Sequence, residues 1–139
     1  MARQMEGKYI NEFLAKHYFD KHYETRQWLG LPPMKEFREM YSVTGRWADA
    51  IVFEPHQITI IEAKLKPTAE AIGQLLAYED LFKRTPRFSQ YWHLPVRLVL
   101  VTTKEDDTVK ALCERQGIEY VVFRPKWIEA YEKIRYRLK

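Results

Sequence analysis

The sequence predicts an α/β sandwich around one mixed sheet, and three observations carry that prediction. Helical and strand periodicities follow one another along the chain, a near-continuous apolar run at Val96–Thr102 marks a buried strand, and proline or glycine punctuates the junctions. At 139 residues the chain matches one domain spanning 1–139, and 46% hydrophobic with 14% aromatic content suffices for a core.

The elements follow in order. From Arg3 to Tyr23 the residues Ile10, Phe13, Leu14 and His17–Tyr18 recur at helical spacing, with charged residues between them. The stretch Leu29-Gly30-Leu31-Pro32-Pro33 must be a loop, because consecutive prolines oppose helix and sheet alike. From Tyr41 the period falls to two, which predicts strands at Tyr41–Thr44, Trp47–Phe53 and Ile58–Leu65. Pro67-Thr68 opens a helix to Lys83, with Thr68 placed to cap it and Glu70 near its positive end. After the Val96 strand, Glu105-Asp106-Asp107 leads a helix that stops at Gly117, a glycine suited to the C′ position. Ile118–Phe123 is a further strand, and Pro125 begins a terminal helix that runs into basic Arg135–Lys139.

Composition narrows the function. No apolar run approaches the eighteen or so residues of a membrane span, and the N-terminus lacks the apolar stretch of a secretory signal. A lone cysteine, Cys113, excludes an internal disulfide and a cysteine-based zinc site; cytoplasmic residence is the resulting expectation. His17 and His22 are five apart and share no helical face, His56 falls in a turn and His93 in a loop, so no histidine pair has metal-ligand spacing. The net charge of +4 permits a polyanionic partner without requiring one.

The chemistry lies in residues 45–64. If Glu54-Pro55-His56-Gln57 closes a hairpin with Pro55 at the second position of a type I turn, Phe53 faces Ile58 and Ile51 faces Ile60. Counting outward places Asp49 opposite Glu62, on one face of the sheet, with Lys64 two residues farther along the same face. Carboxylates opposed at roughly 5 Å between Cβ atoms repel, and desolvation beside isoleucine, phenylalanine and tryptophan adds to the cost. A divalent cation between them offsets both terms, since hard ions such as Mg²⁺ take carboxylate oxygens. Lys64 is then placed to hold a water or to stabilise charge on a phosphate. The plain alternative is a Lys64 salt bridge to one carboxylate at a strand end.

The arrangement resembles the PD-(D/E)XK nuclease superfamily, with Asp49 on one strand and Glu62-Ala63-Lys64 on the next. Gln74-Leu75-Leu76-Ala77-Tyr78 is similar to the Q-x-x-x-Y motif of its RecB-like branch, and Gln74 and Tyr78 share a helical face at i and i+4. The likeness runs from about Gly7 to Phe82 and implies a restriction-endonuclease-like α/β/α sandwich. It departs from the superfamily's name in having Ala48 before Asp49. It implies a Mg²⁺-dependent DNA nuclease, with Mn²⁺ able to substitute. Asp49, Glu62 and the Ala63 carbonyl would hold the ion, Lys64 would orient or activate water, and Gln74 would position water or phosphate. Such proteins often add an acid from the first helix; Glu12 is the candidate, with Glu6 and Asp20 competing.

For nucleic-acid contacts the candidates are Tyr78, Arg46, Arg84 and Arg87. The two loop arginines lie in a segment that mixes cations with aromatics, a mixture that suits phosphates and bases and also suits solvated arginines beside half-buried rings. Tyr78 also fits simple core packing. A catalytically inactive nucleic-acid-binding module and a purely structural domain are the competing functions. Small nucleases of this kind commonly act as dimers, so a homo-oligomer is a further expectation.

Overall fold

Across the two-residue turn Pro55-His56, Glu54 pairs with Gln57, and the register continues through Phe53–Ile58, Ile51–Ile60 and Ala50–Ile61. This is the pairing that the apolar alternation predicts, because a slip by one residue would turn every isoleucine to the wrong face. The hairpin belongs to a computed structural model that describes residues 2–31 and 45–136. Its strands are β2 (Gly45–Glu54) and β3 (Gln57–Lys64). The other strands are β1 (His22–Gly30), β4 (Val96–Thr102) and β5 (Ile118–Val122). They form one sheet in the order β1-β2-β3-β4-β5, antiparallel from β1 to β3 and parallel from β3 to β5.

Helices cover both faces, as the sequence predicts. Against one face lie α2 (Glu70–Phe82) and α3 (Asp107–Arg115), whose Leu75, Phe82, Val109 and Cys113 join Ile51, Ile58, Ile60 and Leu100 in one core. Against the other lie α1 (Ala2–His17) and α4 (Ile128–Arg135), where Tyr9, Phe13, Leu14 and Ile128 pack on Val52, Ile61, Val99 and Val101. The result is a three-layer α/β/α sandwich, with β3 and β4 buried between the layers. Cys113 is fully buried, and burial pushes its thiol above the usual range.

The order of elements is the expected one, but its first strand is a different segment. The first helix ends at His17, six residues before the expected Tyr23, and β1 follows almost at once. Tyr23, Thr25 and Trp28 supply aromatic and β-branched side chains, and their ladder to β2 outweighs the local helical spacing. Leu29 and Gly30, expected in a loop, close that ladder opposite Arg46 and Gly45. The expected strand at Tyr41–Thr44 lies outside the described residues, as do Pro32 and Pro33. Thr68 does not cap α2: the cap position is Ala69, without a side-chain bond, and Thr68 contributes only its carbonyl, which accepts from Ala71 N at 3.3 Å. The start of α3 is capped as its acidic leader predicts, with the Asp106 carboxylate accepting from Val109 N at 3.0 Å. Gly117 follows at φ +71°, where a side chain would be strained. The segment after α2 contains a 3₁₀ helix (Pro86–Tyr91) that seats Phe88 in the core. Among the described residues, no helix is long and apolar enough to cross a membrane.

Thr85 ties the edge strand to the end of α2. Its buried hydroxyl accepts from Gly30 N at 2.7 Å and donates to the Leu81 carbonyl at 2.7 Å. Thr85→Val keeps the shape and orphans the Gly30 N–H, so it should cost about 1–3 kcal/mol in urea unfolding. A loss below a few tenths of that would mean water or another group satisfies Gly30.

Candidate active site

The site forms where β2 parts from β3. Beyond Ala50–Ile61 the register would bring Ala48 opposite Ala63, but the ladder stops and the Ala63 N–H donates instead to Asp49 Oδ2 at 2.8 Å. Asp49 thus stands in for a strand partner, which fixes its carboxylate beside β3. In an antiparallel ladder one residue's N–H and C=O point to the same neighbour, so the Ala63 carbonyl faces this gap as well. Glu62, next to it, is 4% exposed, and its carboxyl lies within hydrogen-bond reach of that of Asp49. Asp49 and Glu62 are therefore brought together, as the register count predicts.

The electrostatics follow from the burial. Desolvation is the main cause that pushes Glu62 far above the usual carboxylate range, and the charge and hydrogen bond of Asp49 add to it. Lys64 and Tyr78 pull the other way. Lys64 Nζ lies 3.5 Å from Glu62 Oε2, so the strand-end ion pair forms whenever Glu62 is ionised. One lysine balances one carboxylate; a simple bridge gives no reason for a second carboxyl on this apolar face.

The helix α2 supplies the roof. The Tyr78 hydroxyl donates to the Trp47 carbonyl at 2.9 Å and lies 3.2 Å from Glu62 Oε1, to which it can donate in turn. Burial and the Glu62 charge raise the hydroxyl's pKa, so it stays protonated. Only 3% exposed, Tyr78 positions Glu62 and cannot lie against a polymer, which corrects its expected role as a nucleic-acid contact. One turn earlier, Gln74 lines the same cavity, and its Oε1 is buried without a hydrogen-bond partner. Such an atom calls for a donor or a cation.

The first-helix acid at the site is Glu6, not Glu12. The Glu12 carboxylate accepts from Trp127 Nε1 at 2.8 Å, on the side of α1 that meets the start of α4. Asp20 sits in the turn after α1, next to Lys21, which pairs with Glu54 at the hairpin end of the sheet. Glu6 lines the cavity with Asp49 and Glu62. Burial holds Glu6 above its usual range against the pull of Lys64, and Asp49 adds to the rise. Among the described residues, no three His, Cys, Asp or Glu side chains gather closely enough to hold a metal ion. The available donor set is therefore two carboxylates and a carbonyl, with Glu6 farther out.

The arginines divide. Arg46 is exposed and lines a separate surface pocket with Glu70, Gly73 and Gln74, outside the cavity that holds Asp49 and Glu62. Arg84 is exposed and pairs with Asp80 one turn back at 3.2 Å. Arg87 Nη2 donates to Gln27 Oε1 at 2.8 Å and to the Trp28 carbonyl at 3.2 Å, bracing β1 against the 3₁₀ helix, so its structural work is accounted for. In the basic tail, Lys133 pairs with Glu129, and residues 137–139 lie outside the described part. The cavity, about 340 Å³, is also walled by Trp47, which the strand alternation puts on this face, and by Thr25 and Arg26 of β1, which the sequence reading missed. The aromatic and β-branched residues of β1 were the available signal, hidden by the helical spacing that precedes them.

No protein-family model and no curated protein matches the sequence. Among solved structures, the fold resembles a repair endonuclease from Pyrococcus abyssi, with a TM-score of 0.51 and 19% identity, covering 84% of this chain and 46% of that one. It also resembles a protein of unknown function, AF1548, with a TM-score of 0.53 and 14% identity, covering 94% of this chain and 65% of that one. The chain spans about half of the first structure and under two thirds of the second. At these identities the likeness concerns the fold alone.

The raised Glu62 predicts a pH signature in EDTA. The folded chain keeps a proton on Glu62 that the unfolded chain releases near its ordinary value, so stability falls as pH rises from there toward the folded pKa. Glu62→Gln removes this dependence. It should gain roughly 2 kcal/mol on the wild type at mildly alkaline pH, and nothing at pH values below the unfolded pKa. Parallel pH-stability curves for the two proteins would show that the carboxyl pair is not strained.

Proposed function

We propose that this chain hydrolyses phosphodiester bonds in DNA with the help of a divalent cation, Mg²⁺ or Mn²⁺, in the manner of the RecB-like branch of PD-(D/E)XK nucleases. The observation that carries the reading is the meeting of Asp49 and the buried Glu62 where β2 parts from β3, with the Asp49 carboxylate held there by the Ala63 N–H. The donor set suits a hard cation: two carboxyls, a strand carbonyl and the partnerless Gln74 Oε1 nearby are all oxygen donors. Asp49, Glu62 and the Ala63 carbonyl are the groups that would hold it. When bound, such an ion supplies Lewis acidity toward the phosphate and acidifies a water.

The chain's own groups have distinct tasks. Asp49 is fixed by the Ala63 N–H, so its second oxygen remains available to a ligand. Tyr78 orients Glu62 through its hydroxyl, and Glu62 must release its proton before it can bind a cation, so ligand affinity should rise with pH. Lys64 carries its ammonium beside the gap, where it can donate to a water or to a phosphoryl oxygen as charge develops. Gln74 presents its amide to the same space and orients the water or phosphate. Arg46, exposed in the neighbouring pocket that shares Gln74, can meet a flanking phosphate. The net charge of +4 favours such a polyanion.

The test is digestion of end-labelled linear, circular and four-way-junction DNA with Mg²⁺ or Mn²⁺. Asp49→Ala, Glu62→Ala and Lys64→Ala should each lower turnover by at least about 100-fold, and Gln74→Ala by about 10- to 100-fold. Cleavage that survives EDTA, or wild-type rates in Lys64→Ala, would sink the assignment. Melting adds a readout besides activity: excess Mn²⁺ should raise the wild-type melting temperature and leave that of Asp49→Asn unchanged.

A further inference from the structure

The wall of the cavity formed by Trp47 and Arg26 has a feature the hydrolytic site does not explain. Trp47, two residues before Asp49 on β2, is 49% exposed and lines the cavity beside the carboxyl pair. Its backbone is held, because the carbonyl accepts from Tyr78. Its indole is half exposed, with the Arg26 guanidinium over the ring and Trp28 against it. The Trp28 ring meets it edge-on, with centroids 5.4 Å apart at 66°. Trp28 is itself fixed: Nε1 donates to the Leu31 carbonyl at 2.6 Å, and the ring lies so close to Gly45 that a Cβ there would sit 2.7 Å from it. The Arg26 guanidinium lies 5.5 Å from the Trp47 ring centroid.

Arg26 shows that the arrangement costs something. At φ +49° it is the one non-glycine residue with positive φ among the described residues, and it stands in the middle of β1 at the register position opposite Asp49. A left-handed residue inside a strand interrupts the ladder there and redirects one side chain. That side chain reaches the Trp47 ring at the edge of the cavity. Arg87 braces the next two residues by its bonds to Gln27 and Trp28, which keeps the twist in place. Large aromatic surface left in water, a cation beside it, a locally strained backbone and a shared cavity with two carboxyls together describe a recognition surface.

We infer that Trp47 and Arg26 form a stacking subsite for an unpaired nucleobase next to the bond that is cut, so that the favoured substrate is single-stranded DNA or the frayed end of a duplex. The inference rests on the nuclease reading and adds the substrate class. An indole offers a flat apolar face that accepts any base, and an arginine beside it adds a cation for the neighbouring phosphate. In an intact duplex both faces of each base are covered by its neighbours, so a base can lie on Trp47 only after leaving the stack. Single strands and fraying ends meet that condition without the cost of extrusion.

The test compares a labelled single-stranded thymidine oligonucleotide with a closed hairpin duplex that has no free end, by fluorescence anisotropy in Ca²⁺. Wild type should prefer the single strand. Trp47→Ala should weaken single-strand binding by about 10-fold or more and leave duplex binding within about 2-fold, and Trp47→Phe should keep most of the preference. Arg26→Ala should weaken single-strand binding and flatten its salt slope by about one. Quenching of tryptophan emission by the oligonucleotide, lost in Trp47→Phe, reads the stack directly in a protein that keeps an aromatic ring and its fold. Unchanged single-strand binding in Trp47→Ala, equal loss on both substrates, or quenching that persists in Trp47→Phe would overturn the subsite. The two readings fail separately. Binding that depends on Trp47 without metal-dependent cleavage removes the nuclease and keeps the subsite; Asp49-dependent cleavage that ignores Trp47 does the reverse.

Discussion

The hydrogen bond from the Ala63 N–H to Asp49 Oδ2 is the constraint on which the site depends. Had the ladder continued, that N–H would have gone to a backbone carbonyl of β2, and the two strands would have stayed paired to their ends. By offering a carboxylate oxygen instead, Asp49 satisfies a strand donor while β2 turns away. The turn opens the cavity, and the same bond keeps one carboxylate pointing into it. A neutral asparagine could accept the same bond, so the demand of the backbone alone does not select aspartate. A charge there, beside a second buried carboxyl, is what the cation of the proposed function would select, since it would neutralise both.

Much of the centre of this molecule was legible in the sequence, because one face of the sheet is apolar. Phe53, Ile51, Ile58 and Ile60 admit a single hairpin register, and that register alone places Asp49 and Glu62 together. Gln74 and Tyr78 followed from helical spacing in α2. The α3 helix was readable from both ends, by its Asp106 cap and by Gly117. These signals are local, and local signals survive in one dimension.

What was not legible depends on partners distant in the chain. The segment His22–Gly30 has no strict alternation, and its exposure pattern follows from pairing with β2 on one side only. Periodicity therefore extended α1 through it. Choosing among Glu6, Glu12 and Asp20 failed for a related reason. All three are surface-compatible acids near the first helix, and only the crossing of α1 over the sheet decides which one reaches β3. Glu12 was then claimed by Trp127, 115 positions away. Tyr78 was recognised as a motif residue but given the wrong task, since spacing shows a face and does not show how deeply that face is sunk.

The carboxyl pair and the aromatic rim are coupled through one proton. The Tyr78 hydroxyl lies within reach of both the Trp47 carbonyl and Glu62 Oε1, yet it has a single hydrogen to donate. While Glu62 is protonated it can donate to the tyrosine oxygen, and the tyrosine is free to hold Trp47. Once Glu62 ionises, its carboxylate becomes the stronger acceptor and competes for that hydrogen. Loss of the bond to the Trp47 carbonyl would loosen the strand segment that carries both the indole and, two residues on, Asp49. The protonation of Glu62 and the hold on the Trp47 carbonyl thus draw on one hydrogen. The sheet fixes the two carbonyl and carboxyl positions, and Tyr78 decides between them.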